Sequence, residues 1–258
     1  NYKREAILIL HNDAAICQDN EFPYSNQSSE YEKRWKYYRT GEYPVSMLIP
    51  PNNAFQANYT NIPLLLIHGW EGSYELISNP DAQAGKNETS YWFTTVKKLN
   101  EVSSAFDAWQ YYYPYNSAHK HLAICLKSAL EHLKTEYISQ KIRLITHSMG
   151  GLITLRYLTQ YPDHARAHVE KVLFMAPPAH GSLGANLYYK TTGGPILQWL
   201  VGYDRYAPSV RDMKLGSDAT WDIYNTPSLP DLNNQNGSGD DYFVMLGTTY
   251  KYYKSDSY

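Results

Sequence analysis

Apolar positions along the chain fall into short runs separated by amphipathic stretches. Residues 6–10 (AILIL) and 45–49 (VSMLI) are apolar runs bounded by turn formers, and they predict strands. A Pro-Pro-Asn-Asn break follows at 50–53. Residues 62–67 (IPLLLI) then carry no polar side chain, as expected of a strand buried on both faces of a parallel sheet. Residues 90–100 place Trp92, Phe93, Val96 and Leu99 at helical spacing, with Ser90 as the expected N-cap. A strand at 105–113 comes next, and then a long amphipathic helix at 119–137 carrying Leu122, Ala123, Leu126, Leu130 and Leu133. A strand at 141–146 (KIRLIT), a helix at 151–161 that ends before Pro162, and a strand at 169–176 complete the pattern. Strand and helix alternating with short connections predict a mostly parallel sheet covered by helices on both faces. From 182 to 240 the periodicity fades, until 242–247 (YFVMLG) restores a strand. The expected organisation is one domain spanning 1–258, with 183–240 a lid-like insertion.

Composition narrows the class. The chain has 258 residues and a formal net charge of −2, with no basic run, so nucleic acid is not the expected partner. No apolar run approaches the roughly 20 residues a membrane helix needs, so no transmembrane segment is expected. Charged residues at 19% and aromatics at 15% exclude a disordered chain, and the 26 tyrosines stand out. The two cysteines, Cys17 and Cys125, lack the spacing of a zinc or redox motif, and neither a metal nor a cofactor is expected. Cys125 sits in an apolar helical stretch and reads as a small buried hydrophobe, while a Cys17–Cys125 disulfide stays open. Asn26, Asn58, Asn87 and Asn236 each open an N-x-S/T sequon in a polar, turn-rich segment. With Asn1 in place of an initiator Met, they point to a processed, secreted glycoprotein.

The chemistry centres on Thr146-His147-Ser148-Met149-Gly150-Gly151, between the 141–146 strand and the 151–161 helix. A serine nucleophile in such a setting needs a sharp strand-to-helix turn, with small neighbours two residues before and after it. Gly150 meets the second requirement, while Thr146 stands where the G-x-S-x-G pattern has glycine. The helix N-terminus behind the turn places partial positive charge where an oxyanion develops. His68-Gly69-Trp70, directly after the 62–67 strand, suits the second half of an oxyanion hole: one N–H from Met149, one from Trp70.

These segments resemble the lipase and esterase branch of the α/β-hydrolase superfamily. His147-Ser148-Met149-Gly150-Gly151 matches its H-S-M-G-G elbow, and His68-Gly69-Trp70 looks like its HG-x oxyanion motif. The segment at 178–182 is similar to the P-H-x-G-S sequence that follows the sixth strand, except that Ala179 occupies the histidine position and His180 comes one later. The resemblance covers about 62–182, and 242–258 more loosely. It implies an α/β-hydrolase fold and a serine hydrolase cleaving carboxylic esters of an apolar acyl group, with an ester or lipid as substrate. The aromatic residues Trp92, Phe93, Tyr188, Tyr189 and Trp199 would then line an acyl site, with core packing as the simpler role.

Chain order in this fold runs serine, acid, histidine. Asp256, after the last strand-like run, is the acid the order selects, in a Ser-Asp-Ser context similar to the family's. Asp240 and Asp241 precede that strand, at the wrong end of the sheet. The histidine is expected beyond Tyr258, with the last strand and helix of the fold, or on a second chain. Among the histidines after Ser148, His164 and His168 read as surface residues near the end of the serine's helix. His180 lies at the correct sheet edge but out of order. Two alternatives stay open: a secreted, non-catalytic module for adhesion or assembly, which the tyrosine excess would suit, and an acyltransferase using the same residues.

Overall fold

The computed structural model describes residues 7–9, 46–49, 61–70, 91–113, 117–183, 185–186, 208–225, 229–233 and 241–245. Seven strands are β1 Ile7–Ile9, β2 Ser46–Ile49, β3 Ile62–Ile67, β4 Phe106–Tyr112, β5 Ile142–His147, β6 Val169–Met175 and β7 Tyr242–Met245. They form one sheet in the order β1-β2-β4-β3-β5-β6-β7. β4, β3, β5, β6 and β7 run parallel, β2 lies antiparallel on β4, and β1 lies antiparallel on β2. Each expected strand is present, with ends moved by one or two residues. The helices are α1 Phe93–Val102, α2 His119–Glu136, α3 Met149–Gln160, α4 Pro162–His168, α5 Pro208–Asp212 and α6 Asp218–Tyr224.

The alternation of side chains along the strands sorts the core into two layers. Leu65 and Ile67 of β3, Trp109 and Tyr111 of β4, and Ile142 and Leu144 of β5 pack with α2 and α3 in the larger layer. Leu64, Leu66 and Ala108 face the other way, onto Trp92 and Val96 beside and within α1. Trp92 is therefore core rather than acyl-site lining. β3 is buried along nearly its whole length, as a strand flanked on both sides and covered on both faces must be. Tyr111, Tyr112, Tyr113, Tyr137 and Tyr157 are all fully buried, so part of the tyrosine excess is core material.

Two expectations need correction. The α1 N-cap is Trp92, without a side-chain cap bond, and Ser90 lies outside the described residues. α3 ends at Gln160, before Pro162 as expected, and at the first position of α4 the proline's missing N–H and fixed φ suit a helix start. His164 and His168 then belong to α4 and stack at 3.8 Å. His164 also meets the Tyr157 hydroxyl at 2.7 Å and Glu131 at 3.4 Å, so it packs against α2 and α3 instead of lying on the surface. Within the segment without periodicity, α5 and α6 are too short to show a repeat.

A buried polar chain ties the floor of the sheet to α2. The Tyr137 hydroxyl donates to Asp107 Oδ2 at 2.6 Å and accepts from Trp109 Nε1 at 3.0 Å, while Asn61 Nδ2 donates to Asp107 Oδ1 at 3.0 Å. Removing the hydroxyl leaves a buried carboxylate oxygen and an indole N–H unpaired. Tyr137→Phe is expected to destabilise the fold by about 1–3 kcal/mol, read as a lower urea midpoint with an unchanged slope.

Candidate active site

The strand order reverses at β3 and β5. The chain leaves β3 through α1 toward β4 on one side, and leaves β5 through α3 toward β6 on the other. The two carboxyl ends thus open a crevice between them, the usual place for a ligand site in an open α/β sheet. His68-Gly69-Trp70 and Ser148 both sit at this point.

Ser148 adopts φ 50° and ψ −120°, a left-handed conformation that costs a non-glycine residue on the order of 1–3 kcal/mol. Its N–H donates to the Met175 carbonyl at 2.9 Å, and its own carbonyl accepts from Gly151 N–H at 2.9 Å. These bonds hold the turn from both sides. The glycines allow the close approach it demands. A Cβ on Gly150 would lie 2.4 Å from the His68 carbonyl oxygen and 2.8 Å from that of Ile67. On Gly151 it would meet the Pro177 ring at 2.7 Å. Thr146, at the position where the motif has glycine, is fully buried, and the turn forms nonetheless.

The loop after β3 presses against the serine. A Cβ on Gly69 would lie 3.1 Å from Ser148 Cβ and 3.0 Å from His147 Nδ1. His68 fixes this loop. Its Nε2 accepts the Tyr113 N–H at 3.2 Å, so Nδ1 carries the proton and donates to the Gly69 carbonyl at 2.6 Å. Its ring stacks on Tyr113 at 3.9 Å, and the Tyr113 hydroxyl donates to the His68 carbonyl at 2.5 Å. Burial pulls the His68 pKa down to about 3, with the backbone contacts to Gly69 and Tyr113 opposing. A neutral, fully engaged imidazole is a strut and is not available as a base. His147, also shifted down by burial, pairs its Nδ1 with the Tyr91 hydroxyl.

Trp70 is half-buried in the turn after β3, against the larger core layer. Met149 opens α3, where an N–H has no acceptor within the helix. The structure therefore brings His68, Gly69, Trp70, His147, Ser148, Met149, Gly150 and Gly151 together. Asp256, Asn26, Asn58, Asn87, Asn236, Cys17, Tyr188, Tyr189 and Trp199 lie outside the described residues. Asp241 serves structure: Oδ2 accepts Leu232 N–H at 2.8 Å, and Oδ1 pairs with the Asn233 amide. No hydrogen bond joins Ser148 Oγ to a histidine among the described residues, and His180 is exposed in the turn after β6. Tyr91 and Tyr113 are not legible as site residues, because nothing in the spacing links Tyr91 to a histidine 56 positions after it or Tyr113 to one 45 positions before it. Among the described residues no cluster of His, Cys, Asp and Glu has the makings of a metal site.

Residues 114–195, which include α2, β5, the serine turn, α3 and β6, match the family model described as "Alpha/beta hydrolase of unknown function (DUF915)". Among solved structures, the Bacillus licheniformis lipase BlEst2 in mature form is similar at a TM-score of 0.55 and 18% identity, covering 76% of this chain and 70% of that one. Its propeptide form gives 0.50 and 17%, covering 72% of this chain and 35% of that one. Phospholipase PlaB from Legionella pneumophila gives 0.48 and 18%, covering 76% and 41%. No curated protein matches the chain in sequence. The chain has the α/β-hydrolase fold.

Two outcomes are expected at this site. Gly150→Ala should cost about 1–3 kcal/mol, because the added methyl meets backbone oxygen instead of a movable side chain; a denaturant midpoint measures it. The His68 pKa is depressed, so between 6.5 and about 3 the unfolded state binds a proton that the native state does not. Its contribution to stability is thus complete above pH 6.5 and is lost as pH falls through that window. In His68→Asn this part of the pH dependence should disappear from the melting curve.

Proposed function

We propose that the protein is a serine hydrolase of carboxylic esters, lipase-like in preferring an apolar acyl group, with Ser148 as nucleophile. The observation that carries this reading is the left-handed Ser148 at the strand-to-helix junction, with Gly69 packed against it. Such strain persists where the surrounding structure over-determines it, and it lifts the hydroxyl clear of the sheet edge. In this reading Ser148 Oγ attacks the ester carbonyl and passes its proton to a histidine. The N–H groups of Met149 and Trp70 receive the oxyanion, and the histidine returns the proton to the departing alcohol. Water then repeats the sequence on the acyl-enzyme. Asp256 orients the histidine, which follows it in the family's order, either beyond Tyr258 or on a second chain. Four of the histidines among the described residues are engaged elsewhere: His68 is locked, His147 faces Tyr91, His164 meets Glu131 and Tyr157, and His168 stacks on His164.

No helix among the described residues is long and apolar enough to cross a membrane. The sequons support a secreted glycoprotein, which a mobility shift on enzymatic deglycosylation would establish.

The full natural chain, with any partner chain, should react with a fluorophosphonate probe at Ser148 and hydrolyse a p-nitrophenyl ester. Ser148→Ala should abolish both, and Asp256→Asn should lower kcat by about 10³–10⁴-fold. A folded, complete wild type that takes no label would overturn the assignment.

A further inference from the structure

Tyr91, in the turn before α1, reaches the serine turn from outside both sequence motifs. A Cβ built on Gly69 would lie 2.7 Å from the Tyr91 hydroxyl, 3.0 Å from His147 Nδ1 and 3.1 Å from Ser148 Cβ. These three atoms therefore surround one point beside Gly69. Two of them, the Tyr91 hydroxyl and His147 Nδ1, are also hydrogen-bonded to each other. That bond joins the end of β5 to the turn before α1 and lies against Gly69. The phenol ring is held by packing: it meets Trp92 edge-on at 5.2 Å, and Trp92 is buried in the smaller core layer. It also tilts against His68 at 5.9 Å and against His147 at 5.8 Å. Tyr91 is nevertheless 36% exposed, and an exposed tyrosine ordinarily presents its polar tip to water. Here the hydroxyl is turned onto a histidine nitrogen.

Gly69 is the residue that needs restraint from outside. Without a Cβ its backbone has more of φ/ψ space open to it than any other residue, yet it opens the peptide that carries the Trp70 N–H. His68 Nδ1 donates to the Gly69 carbonyl at 2.6 Å. In a trans peptide the following N–H points opposite to that carbonyl, so His68 sets the direction of the Trp70 N–H. The spacing between Gly69 and Ser148 depends on what crowds Gly69, namely Ser148 Cβ, the His147 ring and the Tyr91 hydroxyl.

We propose that Tyr91 is a positioning residue for the oxyanion loop: through its bond to His147 it closes the cage that keeps Gly69, and with it the Trp70 N–H, at a fixed distance from Ser148. Its chemical role rests on the serine-hydrolase reading given above, whereas the cage is a property of the fold. A phenylalanine would keep the ring contacts with Trp92 and His68 and lose only the tie to His147. The loop would then shift more freely, and a loosened donor costs more in the transition state, where charge develops on the substrate oxygen, than in the bound ester.

The test compares the full natural chain, with any partner chain, as wild type and as Tyr91→Phe. Amide NMR relaxation reads Gly69 and Trp70 without reference to activity: their order parameters should fall from about 0.85 to about 0.6, while Tm moves by less than about 4 °C. For a p-nitrophenyl ester kcat should fall about 10–100-fold with KM within about twofold. The Ki of a boronic acid, which forms a tetrahedral oxyanion on Ser148, should rise by the same factor. His147→Leu should loosen the same two amides, and the double variant should lose little more than either single one. Order parameters that stay level in Tyr91→Phe, or a rise in KM with kcat unchanged, overturn the proposal. A wild type inert to the fluorophosphonate probe, whose Tyr91→Phe form still loosens these amides, retires the hydrolase reading and leaves the cage standing.

Discussion

The site depends on how closely two backbones can approach at the carboxyl edge of the sheet. β3 and β5 are parallel neighbours, so the loop leaving β3 and the helix entering after β5 compete for one volume. The carbonyl oxygens of Ile67 and His68 lie where a Cβ on residue 150 would stand. Only a residue without a side chain lets α3 start this near β3. Once α3 starts there, the residue before it must reverse direction within one position, and Ser148 takes the left-handed conformation. Gly69 meets the same demand from the opposite side. Gly69 and Gly150 are therefore a single packing solution, and the strain at Ser148 is its consequence.

That strain has to be held by contacts that do not relax. The Ser148 N–H is fixed to β6 through Met175, and the next strand of the layout is fixed in turn by Ala176 N–H on Met245. On the β3 side the restraint is side-chain chemistry. His68 bonds both to Gly69 of its own loop and to Tyr113 at the end of β4, and Tyr113 bonds back to the His68 carbonyl. The arrangement requires one tautomer and a neutral ring, and burial enforces both. A charged imidazole would have two donors facing one acceptor and one N–H. The same conditions that make His68 a firm strut thus disqualify it from proton transfer.

Periodicity revealed the parts of the fold that bury a repeating face. β3 has no polar position, α2 keeps Leu122, Leu126, Leu130 and Leu133 on one stripe, and the Ser148 turn carries its small residues at fixed offsets. These features are local, and the local pattern was sufficient. Features made by contacts between distant segments left no trace in spacing. The α2 N-terminus has no side-chain cap from its own neighbours, and its first N–H is satisfied by Asp212, 93 residues later. Thr146 shows the limit of a motif rule. The rule asks for glycine two residues before the nucleophile, yet a buried threonine stands there, on the same face of β5 as Ile142 and Leu144.

The segment between β6 and β7 follows the same logic of distant contacts. Ser182 N–H donates to Met213 at 2.7 Å and Leu215 N–H to Asn186 at 2.9 Å, which joins the start of the excursion to the α5–α6 turn. Lys141 Nζ reaches the Leu232 carbonyl at 2.6 Å, and Asn233 bonds to the Glu170 carbonyl at 3.0 Å, which anchors the far end at the opposite edge of the sheet. Capping α2 through Asp212 makes the helix and this segment mutually dependent. Displacing α5 would expose a helix N-terminus and separate Asp212 from the His119 N–H that it accepts. The described part of this segment therefore acts as a docked element of the fold.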